Sequence, residues 1–158
     1  MRKRIVILIL IILNLATIFF FSHQNGSEST AVSTAISRQI EVSTPGYESK
    51  SLGERNSFHV HTQKTLRHWA HALLFFTLGI LMYLFFNTFP KKWYRFPMVL
   101  VIGFLIALGD EIHQLYVPGR SYGWDDISYD MLGFLSGILV ICLFIFAIKC
   151  IKKETVAK

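Results

Sequence analysis

The strongest constraint on this chain is that its apolar residues fall into four long runs. Residues 5–21 are interrupted only by Asn14 and Thr17, and comparable runs cover 72–89, 96–109 and 131–148. A bilayer core about 30 Å thick is crossed by about 20 helical residues, so these runs read as transmembrane helices. The third run is the informative one, because 96–109 is only 14 residues long. To cross, its helix must continue through Asp110, Glu111, His113 and Gln114 toward Val117, which places ionisable groups within the depth of the bilayer. The expected fold is all-α and integral to the membrane: a four-transmembrane-helix bundle, both termini cytoplasmic, with one external loop of about 45 residues. The predicted spans are 5–21, 69–89, 96–117 and 130–148, with 22–66 external and 1–158 forming a single domain. A composition that is 53% apolar and only 16% charged excludes an ordinary soluble domain.

A net charge of +6 could recruit nucleic acid, but the basic residues are placed otherwise. Arg2, Lys3 and Arg4 precede the first run, Lys91, Lys92 and Arg95 separate the second from the third, and Lys149, Lys152, Lys153 and Lys158 follow the fourth. With four spans these segments share one side and hold 10 of the 16 Lys and Arg residues, which makes that side cytoplasmic. The charge orients the chain, and no nucleic-acid partner is expected. The first run is read as an uncleaved anchor, since Ser22-His23-Gln24-Asn25 lacks a small-x-small cleavage site. Cys142 and Cys150 belong to the fourth span and its cytoplasmic end, where two free thiols are expected rather than a disulfide.

The segment 22–66 is too short and polar for a core of its own. Val32, Ala35, Ile36, Gln39 and Ile40 follow helical spacing, which predicts either a short amphipathic helix lying on the membrane surface or a partly ordered linker. Pro90 marks the end of the second span, and Pro118-Gly119 a turn after the third. Gly133 and Gly137, four apart, form a small-residue face for close approach of another helix within the bundle.

The topology collects the chemically useful residues on the external side. They are Ser22, His23 and Gln24 after the first span; Arg67, His68 and His71 before the second; Asp110, Glu111, His113 and Gln114 ending the third; and Arg120, Asp125, Asp126 and Asp130 before or within the fourth. His68 and His71 are three apart, Asp110 lies three from His113 and four from Gln114, and Asp126 lies four from Asp130, so each group can share a helix face. Ionisable residues at membrane depth are costly and tend to pair or to serve function. Three readings compete. In the first, the groups form a structural network joining helices. In the second, Arg67, His68, His71 and Arg120, aided by Gln114 and Asp130, hold an anionic head group, which a guanidinium fork suits. In the third the site is catalytic, with Glu111 or His113 as base, Asp126 beside them, and Arg120 stabilising charge on a phosphoryl group. His with Asp or Glu could ligate a divalent metal, but Asp-Glu-Ile-His matches no zinc spacing, so no metal ligand and no cofactor are assigned.

These same residues resemble the VanZ-like family, which includes a teicoplanin-resistance protein. The resemblance rests on Leu-Arg-His-Trp-Ala-His at 66–71 leading into Leu78-Gly79, on Gly-Asp-Glu-Ile-His-Gln-Leu-Tyr-Val-Pro-Gly-Arg at 109–120, and on Asp126, Asp130, Gly133 and Gly137. It assigns the family's polar signature to Arg67, His71, Glu111, Gln114, Arg120, Asp126 and Asp130, while His68 stands where Lys is usual and Leu74 where an acid is common. It implies a bacterial cell-envelope protein of the plasma membrane that in some members lowers susceptibility to teicoplanin-type glycopeptides, and the external polar residues add the expectation that this chain engages membrane lipids or a lipid-linked envelope precursor. A membrane hydrolase or transferase acting on a phospholipid or polyprenyl-phosphate head group is the alternative, and a structural or partner-binding membrane protein a third.

Overall fold

The computed structural model describes residues 2–24, 26–90, 93–118 and 123–156. Among these described residues five helices follow in order: α1 (Arg2–His23), α2 (Gly26–Ser43), α3 (Leu52–Phe86), α4 (Arg95–Gln114) and α5 (Trp124–Val156). No strand occurs among the described residues. Four helices, α1, α3, α4 and α5 as far as Lys153, are long and apolar enough to cross a membrane, so the chain is an all-α, multi-pass membrane protein.

Each boundary has a local cause. At its start α3 has a capping box: Ser51 Oγ accepts from the Glu54 backbone N–H, and Glu54 Oε2 accepts from the Ser51 N–H at 2.8 Å. From that cap the helix runs 35 residues, roughly 52 Å at 1.5 Å per residue, far more than a bilayer core requires. It ends at Phe86 with Asn87 as its C-cap, a few residues ahead of Pro90. Helix α4 has 20 residues, about 30 Å, and stops at Gln114 rather than reaching Val117. Leu115, Tyr116 and Val117 instead donate to carbonyls three residues back, tightening the chain into turns. Helix α5 starts six residues before its predicted span, with Asp125 and Asp126 at its N-terminus, where negative charge complements the helix dipole.

The core is set by the meeting of α3 with α5. Phe75, Leu78 and Phe134 are fully buried, with Ile18 of α1 and Val99 and Ala107 of α4 completing the centre. Gly133 and Gly137 lie against the backbone carbonyls of Ala72 and Phe76, and Gly79 against that of Phe134, so the small-residue face serves a contact inside the bundle. The outside is apolar: Ile9, Leu13, Phe20, Leu139, Leu143 and Phe146 are among many large hydrophobic residues left exposed, as a lipid solvent permits. At the end of the bundle holding the α3–α4 connection, Arg4 donates to the Thr88 carbonyl at 2.6 Å and lies over the Phe89 ring. Cys142 and Cys150 are both free thiols.

The segment between α1 and α3 is helical over Gly26–Ser43 and packs antiparallel on the first half of α3. Its inward residues are polar. Ser37 and Glu41 are buried, His59 pairs with Glu41 at 2.6 Å, and Gln63 donates to Thr34 and contacts His59, so His59 is held in a network rather than merely solvated. The apolar Ile36, Ile40 and Val42 point away from α3.

Candidate functional site

Because α1, α3, α4 and α5 alternate in direction along the chain, the C-terminal ends of α1 and α4 meet the beginning of α5 beside His68 and His71 of α3. Asp110 is the hub. Completely buried, it accepts a hydrogen bond on Oδ2 from Ser22 Oγ at 2.8 Å and a second from Gln114 Nε2 at 2.9 Å. His71 Nδ1 stands 3.7 Å from the same oxygen, too far for a hydrogen bond. Asp110 Oδ1 is buried and has no hydrogen-bond partner among the described residues. Asp130, 4% exposed, completes the group: one ligand atom from each of His71, Asp110 and Asp130 lies within 4.8 Å of the other two.

A second set surrounds the start of α5. Glu111, 1% exposed, accepts the Gly123 N–H on Oε1 at 2.8 Å, so the last turns of α4 hold the residue that opens α5. His68 Nε2 pairs with Asp126 Oδ1 and its ring stacks on Tyr129 at 4.7 Å between centroids. One turn of helix, about 6 Å, separates Asp126 from the deeper Asp130.

Of the residues singled out in the sequence, the structure therefore gathers His68, His71, Glu111, Gln114, Asp126 and Asp130 at one end of the bundle. His113 takes a different direction: it stacks on His23 at 5.5 Å and receives the edge of Phe19, both on α1. Arg67 is half-buried on α3 next to His68. Arg120 lies outside the described residues. Two partners were underweighted by sequence reasoning. Asp110 belongs to the constellation by its spacing of four from Gln114, and Ser22 by its place at the end of the first run, but the bond that joins them spans 88 positions of the chain.

Chemically the arrangement offers carboxylate acceptors and imidazole nitrogens in the interior of the bundle. Fold and site together define a polytopic helical membrane protein with a buried polar centre near the C-terminal ends of α1 and α4 and the start of α5. The chain belongs to the VanZ/LLP1 family, whose model matches residues 6–146, nearly its whole length. No match was found among curated proteins or among solved structures.

Proposed function

We propose that this protein works at the outer face of a bacterial plasma membrane, where it binds the anionic head group of a lipid or lipid-linked envelope precursor. The observation that carries this reading is that half-buried Arg67 and the imidazoles of His68 and His71 share one end of the bundle with the polar side chains of Gln114, Asp126 and Asp130. That end lies opposite the basic segments at the N-terminus, between α3 and α4, and after α5, which the positive-inside rule assigns to the cytoplasm. In this reading Arg67 and Arg120 take the phosphate by charge-assisted hydrogen bonds, while Asp126 and Asp130 accept from hydroxyl or amine donors of the same head group. A lowered susceptibility to teicoplanin-type glycopeptides is the cellular outcome this activity would have.

In nanodiscs, the wild-type protein is expected to retain a phospholipid or polyprenyl-phosphate through purification, and Arg67→Ala or Arg120→Ala to lose it by about tenfold or more, the cost of a charged hydrogen bond at 1.5–3 kcal/mol. Equal retention by the arginine variants would remove the head-group reading. Turnover of the head group that disappears in Glu111→Gln while binding persists would place the protein among hydrolases or transferases instead. Orientation is tested separately. In a background lacking Cys142 and Cys150, Leu52→Cys, at an 86% exposed position, should react with an impermeant thiol reagent from outside the cell. Labelling only after permeabilisation would reverse the topology.

A further inference from the structure

We propose that His71, Asp110 and Asp130 form a binding site for a divalent first-row transition-metal ion, such as zinc or manganese, inside the helix bundle. The residues come from three helices, α3, α4 and α5, which is why no motif on a single helix announces them. Their ligand atoms lie within 4.8 Å of one another. Atoms bound to one tetrahedral zinc stand roughly 3.4 Å apart, given bond lengths of about 2.0–2.1 Å. The 3.7 Å between His71 Nδ1 and Asp110 Oδ2 is too long for a hydrogen bond and close to that ligand spacing.

A second observation points to an ion independently. Asp110 is completely buried, yet among the described residues its Oδ1 has no hydrogen-bond partner, a costly state for a carboxylate oxygen inside a membrane protein. The other oxygen is held by Ser22 and Gln114, which fixes the orientation of the carboxylate as outer-shell donors do at metal sites. Asp130 brings a second buried carboxylate to the same place, and a cation between the two offsets their repulsion. One imidazole with two carboxylates is a ligand set that a borderline-soft ion accepts, and three protein ligands leave coordination positions open. The site shares His71 and Asp130 with the head-group reading but does not rest on it: metal content is read directly, whether or not the protein binds lipid.

The test is metal content and spectroscopy on the full chain in nanodiscs. After equilibration with Zn²⁺ or Mn²⁺ and desalting, the wild-type protein should retain about one ion per chain, and Asp130→Asn and His71→Gln should each weaken binding by more than about tenfold. Asp126→Asn, outside the ligand set, should keep it, and Ser22→Ala should weaken it about 10- to 100-fold. Retention of neither ion by the wild-type protein, or binding indifferent to His71 and Asp130, overturns the proposal. Should the ligand variants fail to fold, pulsed electron paramagnetic resonance of the Mn²⁺-loaded wild type decides alone. Coupling to one imidazole nitrogen supports the site, and coupling to none or to two rejects it.

Discussion

Gly133→Ala is expected to cost the folded bundle about 3 kcal/mol or more, the upper end of what overpacking a core does. A methyl group at 133 would meet the Ala72 carbonyl, approaching its carbon to 2.8 Å and its oxygen more closely still. The same holds for Gly137 against Phe76, where the carbonyl carbon would stand at 2.9 Å. Both obstacles are helix backbone, so no rotamer change relieves them. The helices themselves must separate, and the interface that opens is the one burying Phe75, Leu78 and Phe134. Two other glycines calibrate the effect. At Gly103 a methyl would press on the Phe134 ring, which can turn aside in part, so a smaller loss is expected there. At Gly109 nothing lies within 4 Å, and alanine should stabilise α4 by about 1 kcal/mol through helix propensity alone. Reversible unfolding in bicelles should rank the alanine variants in that order; a Gly133 variant as stable as wild type would mean that close α3–α5 approach does not organise the bundle.

What was legible in the sequence is what depends on local spacing. The four apolar runs mark four helices, and the shortness of the third places Asp110, Glu111 and Gln114 within a helix rather than in a loop. Gly133 and Gly137 mark a helix contact by their separation of four. What was not legible depends on which side of a helix its neighbour takes. The pattern at Val32, Ile36 and Ile40 gives α2 its helicity but not its partner, and the packed face proved to be the polar one, with Ser37 and Glu41 inward. On α4, Asp110 and His113 are three residues apart and about 60° separated around the axis, enough for Asp110 to join Ser22, His71 and Asp130 while His113 stacks on His23. The two candidate bases, Glu111 and His113, likewise lie in different surroundings, one on the Gly123 N–H and the other against His23. The lengths of α3 and α5 escaped because hydropathy reports the part of a helix that lipid would cover and is silent on a polar extension such as Leu52–Leu66, whose start is written instead in the Ser51 and Glu54 cap.

Asp110 offers the sharpest separation of scaffold from chemistry. In chelator-treated protein, Asp110→Ala should lower stability by about 2–4 kcal/mol, because it strands the Ser22 hydroxyl and the Gln114 amide in a buried setting at about 1–3 kcal/mol each. The lower half of that range is favoured, since a helical serine can turn to the carbonyl four residues back, and interhelical bonds in membranes average about 0.6 kcal/mol. Asp110→Asn retains an acceptor oxygen for both donors, so its cost should stay below about 1 kcal/mol, and it removes the carboxylate charge. If the site serves only to hold α1 against α4, the asparagine protein should keep every function of the wild type, and Ser22→Ala, which removes one of the two hydrogen bonds, should do less harm than Asp110→Ala. If the carboxylate has a chemical role, the asparagine protein should fold and yet lose metal or head-group binding. Measuring stability and binding on the same three variants in the same bicelles places each on one side or the other, because hydrogen-bond geometry is retained in one substitution while charge is removed in both.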